Sequence, residues 1–108
     1  MGQAIRTQDV EVKATLSAVL NESTPSTMAG PIALIHGGAI KISGTWEGTL
    51  ALQMYSSEDS AFVTMHTWTA NPTNAQAIDP ISHGKWRVCF SDFTSGSAVV
   101  YIWGKKYL

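Results

Sequence analysis

The side chains able to do acid–base, nucleophilic or metal chemistry here are three histidines, one cysteine and eight carboxylates. Their spacing brings few of them together. His36, His66 and His83 lie 30 and 17 residues apart, no two share a strand face at i, i+2, and no cysteine joins them, so no metal centre is expected. Glu58, Asp59, Asp79 and Asp92 fall in turn-like segments, where acids solvate or bond the local backbone. Spacing does not exclude a carboxylate pair for glycoside hydrolysis, yet a chain of 108 residues has little cleft to house one. His36-Gly37-Gly38 has the make-up of an oxyanion loop, but that loop needs an α/β sheet and a G-x-S-x-G nucleophile elbow, and neither is present. A tight turn is the expected reading of the glycine pair. Cys89 is a candidate thiol on the Lys85–Arg87 side of its strand, with a small, partly buried side chain the favoured reading. As the only cysteine it has no partner for an internal disulfide. The chain therefore reads as non-enzymatic, with no cofactor.

Composition narrows the partners. Hydrophobic residues make up 44% and charged residues 14%, a low charge content that points to surface covered by another protein. The net charge is −1 and the charges are scattered, so there is no basic stripe for nucleic acid. No apolar run approaches the ~20 residues needed to cross a bilayer, so no membrane contact is expected. The N-terminal MGQAIRTQ lacks an apolar stretch behind its charge and reads as no signal peptide. Arg6 also breaks the myristoylation pattern. A soluble, reducing compartment is the expectation, and the glycosylation triplet Asn21-Glu22-Ser23 is then chance.

The elements that must position any site are strands. Residues 9–20 put Val10, Val12, Ala14, Leu16, Ala18 and Leu20 on one face and Asp9, Glu11, Lys13, Thr15 and Ser17 on the other, with Val19 the one exception. Residues 21–31 are rich in Ser, Thr, Pro and Gly and read as a loop. In AIKISGTWEGTLALQMY, Ile40, Ile42, Gly44 and Trp46 form an inward row, Glu47-Gly48 is the expected hairpin turn, and Leu50, Leu52 and Met54 return. Trp46 belongs to the core on this reading. Residues 61–69 form another strand, with Phe62 and Trp68 opposite Val63 and Met65, and a short edge strand is expected near Ala77–Ile78. Trp86, Val88 and Phe90 point inward against Lys85, Arg87, Cys89 and Ser91; residues 92–97 are an expected turn, and Lys105-Lys106 a solvated tail. The fold expectation is all-β: a single antiparallel β-sandwich, jelly-roll or Ig-like, of seven to eight short strands over residues 9–108, preceded by a flexible arm at 1–8.

The last strand breaks the rule of one wet face. Ala98, Val100 and Ile102 lie on one side, Val99, Tyr101 and Trp103 on the other, and all are apolar or aromatic. The second face must meet a loop such as 21–31, or another protein. Val99, Tyr101 and Trp103 are thus the candidate protein interface, and the strand is also read as an edge open to pairing.

The order of motifs resembles that of a group of small proteins encoded among the structural genes of tailed bacteriophages and prophages. The matching residues are Gly44-Thr45-Trp46, Gly48-Thr49-Leu50 and Leu52-Gln53; Thr67-Trp68-Thr69-Ala70-Asn71; Gly84 with Trp86-Arg87-Val88; and Thr94-Ser95-Gly96-Ser97-Ala98. They span residues 39–103. Trp68 stands where the pattern has Tyr or Phe, Ser56-Ser57-Glu58-Asp59 replaces a glycine-rich turn, and residues 1–38 match nothing in the pattern. The resemblance implies a β-sandwich virion component without enzymatic activity, made in the bacterial host cytoplasm. Its partners would be copies of itself, with a trimer the first expectation because capsid shells offer threefold sites, and virion proteins such as the major capsid protein. A capsid decoration or cement protein, or a neck or tail accessory, is the leading role. The alternative is a recognition module of a tail fibre or tail tip, with Trp68 or Trp103 stacking on host sugars.

Overall fold

A computed structural model of the chain describes residues 11–22, 28–78 and 84–107. The expected arm at 1–8 lies outside the described residues, as do Asp79, His83 and Ser23. Five strands and no helix make up the described chain: β1 (Glu11–Leu20), β2 (Ala29–Ser56), β3 (Ala61–Trp68), β4 (Gln76–Ile78) and β5 (Gly84–Tyr107). All pairings are antiparallel, in the order β1-β5-β2-β3, with β4 on β2. The all-β, antiparallel expectation holds.

The strand count differs because three expected turns are not turns. Gly37-Gly38, Glu47-Gly48 and residues 92–97 all lie inside β2 or β5, which run for 28 and 24 residues. The last two face each other: Trp46 is opposite Gly96, Glu47 opposite Ser95 and Gly48 opposite Phe93. The register shifts at Glu47/Gly48 and again at Thr49/Leu50, leaving Thr94 and Ser91 as extra residues on β5. A glycine at positive φ serves a bulge as readily as a hairpin turn, so glycine alone does not tell them apart. Gly96 has φ 88°, and a Cβ there would collide with the carbonyl oxygen of Thr45. Ser91 Oγ donates to the Thr49 carbonyl at 3.3 Å, which ties the bulge down. The Lys105-Lys106 tail is likewise strand, paired with Lys13 and Val12.

These bulges bend the long β2–β5 ribbon and wrap the sheet around one core. Its members are the residues the alternation points inward, among them Leu20, Ile40, Ile42, Leu50, Leu52, Trp86, Val88, Phe90, Val100 and Ile102. At the bend, Trp46 and Phe93 pack edge-on against Phe90 at 5.6 and 5.0 Å. Phe90 and Phe93 are three apart and would alternate faces in a regular strand. Ser91, the extra residue between them, returns both to the inside. The sheet does not close: β1 and residues 31–33 face each other across an open cleft of about 440 Å³.

A further bulge sits between Leu52 and Gln53, where His66 and Thr64 are the successive partners and Met65 is the extra residue. It corrects the face assignment of β3. Phe62 pairs with outward Tyr55, while Trp68 pairs with buried Leu50, so the two aromatics lie on opposite faces.

Candidate interaction surface

Parity in an antiparallel sheet places directly opposed residues on one face. Around β5 this gives three outward rows: Val19–Val99–Ser43, Ser17–Tyr101–Lys41 and Thr15–Trp103–Ala39. Val19 is 58% exposed, Val99 38% and Tyr101 36%, and Trp103 is half-buried. The Tyr101 and Trp103 rings stack at 5.1 Å with 26° between their planes, which presents one continuous aromatic plate. The structure thus brings all three sequence-derived residues onto one outer surface. It corrects the reading of this strand as an edge. β5 is paired by β1 on one side and β2 on the other along residues 98–104, so its backbone groups are spent and only side chains are on offer.

Val19 and the basic rim were not singled out from the sequence. The signal for Val19 was present, since it breaks the polar row of β1. Lys41 stands opposite Tyr101, and Lys13 opposite Lys105 one row beyond Trp103. Glu11 lies 3.3 Å from His36 and 3.8 Å from Lys105. These charges are solvent-exposed and their pairing contributes little to stability.

A second outward surface, over the other half of β5, is built differently. Arg87 Nε donates to Gln53 Oε1 at 2.8 Å, and Gln53 Nε2 donates to Thr64 Oγ1 at 3.2 Å. The Arg87 guanidinium lies 4.0 Å over the Phe62 ring, and its other end reaches Met28 Sδ at 3.9 Å. Under this lattice Cys89 is 1% exposed, with Sγ 3.4 Å from Gln53 Oε1. The thiol is more deeply buried than its side of the strand implied, because Arg87 and Gln53 cover it.

The remaining candidates separate. His36 lies beside Glu11 on β2, whereas His66 packs against Trp68 at 4.9 Å on β3. Among the described residues no three His, Cys, Asp or Glu side chains gather in one place. Glu58 and Asp59 do lie in a turn, where the Asp59 N–H donates to Ser56 Oγ at 3.4 Å. Asp92 instead is within β5, opposite Thr49. Trp46 is half-buried as a core residue, and its Nε1 donates to Asn71 Oδ1 at 2.7 Å while Asn71 Nδ2 donates to the Gly44 carbonyl at 2.8 Å. Gly44-Thr45-Trp46 and Thr69-Ala70-Asn71, distant in sequence, are clamped through that one amide.

Trp68 is 8% exposed, so its ring faces are committed to the core. It shares a cleft of about 270 Å³ with Trp86, His66, Gln76 and Ile78. Among the described residues, the indole N–H groups of Trp68 and Trp86 are buried without an acceptor. Comparison with protein-family models, curated proteins and solved structures returns no match for this chain.

Proposed function

We propose that this chain is a non-enzymatic structural module of a tailed-phage virion, a β-sandwich that works through protein–protein contacts. A capsid decoration or cement protein, or a neck or tail accessory, is the role that fits. The observation that carries the contact reading is the bare plate of Val19, Val99, Tyr101 and Trp103 in the middle of a sheet. Such a patch left in water is an association hazard, and Tyr and Trp at its centre are the composition of an interface core. The virion assignment rests on the motif resemblance, in which the Gly44–Trp46 and Thr67–Asn71 segments are matched. The partners are copies of this chain, with a trimer the expected order, and the major capsid protein.

Copy number on purified particles tests the role. Hundreds of copies per particle fit a shell protein, a few fit a neck or tip, and absence from particles sinks the reading. One observation favours a second reading, the sugar-recognition module of a tail tip. The cleft beside Trp68 is lined by Trp86, His66 and Gln76 as well, a mix of aromatic edges and an amide that suits a neutral sugar better than stacking on Trp68 itself. Saturable binding of host-surface oligosaccharides, lost in Gln76→Ala, is the result that reading requires.

A further inference from the structure

The charge pattern around the bare plate bears on which partner it takes, and the inference rests on the contact reading above. Lys13, Lys41 and Lys105 surround Tyr101 and Trp103. Beside the lysines, Glu11 is engaged by His36 and Lys105, and Glu47 is exposed farther along the same face, opposite Ser95. A twofold contact would lay this patch on its own copy. Lysines of both copies would then ring one desolvated apolar centre, and like charges facing each other across an interface oppose association.

The complementary chemistry occurs elsewhere on the same chain. The turn between β2 and β3, residues 57–60, is fully exposed and carries Glu58 and Asp59. Neither carboxylate has a salt-bridge partner among the described residues. Beside the turn, Tyr55 is 41% exposed and packs edge-on against Phe62 at 5.5 Å. The acidic turn therefore brings an aromatic contact of its own in Tyr55, while the Arg87 guanidinium lies over Phe62.

We propose that copies of this chain assemble head to tail, with the Glu58–Asp59 turn of one copy seated on the Tyr101–Trp103 plate of the next. The contact is heterologous, and it closes into a ring when the rotation between copies permits; the expected trimer is such a ring. Apolar burial at Tyr101, Trp103 and Tyr55 supplies the affinity. The lysine and carboxylate rims set orientation and association rate, and make assembly weaken with added salt.

Light scattering and sedimentation velocity on the full chain, with circular dichroism to verify the strands, test this. Glu58→Lys/Asp59→Lys should raise the dissociation constant about tenfold or more, and Lys13→Glu/Lys41→Glu should do the same, because each makes the rims alike in sign. The chain carrying all four reversals should reassemble. If it stays dissociated, or if Glu58→Lys/Asp59→Lys assembles as the wild type does while Trp103→Ala dissociates, the plate is a contact but the turn is not its partner. A wild type that stays monomeric at high concentration, or assembly untouched by Trp103→Ala, removes the plate as a contact altogether.

Discussion

The two outward surfaces of β5 belong to one strand of one sheet, and they are finished in opposite ways. Over residues 87–89 the chain covers itself: Arg87 and Gln53 lie across Cys89, Met28 meets the guanidinium, and Phe62 is capped by it. Over residues 99–103 nothing comparable is laid down among the described residues, and the aromatic side chains remain 36% exposed or half-buried. A long, amphipathic side chain can shield apolar surface while keeping its charge wet. The lysines near Tyr101 are in place to do this, yet they stand around the aromatic pair as a rim. The difference teaches that an apolar outer face is not a folding residue of the sheet. The same strand has a means of covering one and leaves the other bare.

Variants at the two surfaces can break that comparison, and a core variant sets its scale. Phe90→Ala removes the ring on which Trp46 and Phe93 pack, and should cost about 3–5 kcal/mol of unfolding free energy in urea titrations. Trp103→Ala should cost about 1 kcal/mol or less by the same measurement, while weakening assembly by on the order of 2 kcal/mol. An unfolding cost near that of Phe90→Ala would mean that the plate is core, and the comparison would fail.

The bend joining the two halves of β5 comes next. Gly96→Ala forces a non-glycine residue to φ 88° against the Thr45 carbonyl, and about 1–3 kcal/mol should be lost from the strained backbone alone. A neutral result would show that the register shift is not fixed by this glycine. Arg87→Ala should convert the covered surface into one like the bare surface. About 1–2 kcal/mol is expected, from the cation–π contact and the hydrogen bond to Gln53 together. Cys89 should then react markedly faster with a thiol reagent; unchanged reactivity would show that Arg87 is not the cover. The smallest effect belongs to the clamp. Asn71→Ala loses two exposed hydrogen bonds that water can replace, so about 0.5–1 kcal/mol in total is expected, and the variant should sharpen the contrast by leaving assembly untouched.

Much of this architecture was legible in the residues. Alternation assigned Ile40, Ile42, Leu50, Leu52, Trp86, Val88, Phe90, Val100 and Ile102 to the inside, and the unbroken apolar run at 98–103 flagged the plate. Period two is a local property, set by successive side chains pointing to opposite faces, so it can be read without knowing any partner strand. The same rule failed at Phe62 and Trp68, because one inserted residue reverses every later assignment. An insertion is defined only against the strand across from it.

By itself, then, the sequence determined the class of the fold, the inner rows of the core and the three residues of the candidate surface. Each follows from short-range pattern. The tertiary structure alone decided that Glu47-Gly48 and residues 92–97 are opposed bulges in a continuous ribbon, that β5 is an inner strand, that Asn71 clamps Trp46, and that Arg87 hides Cys89. A glycine at positive φ serves a turn or a bulge equally well, and only the presence of another segment alongside, hydrogen-bonding the same backbone, selects between them.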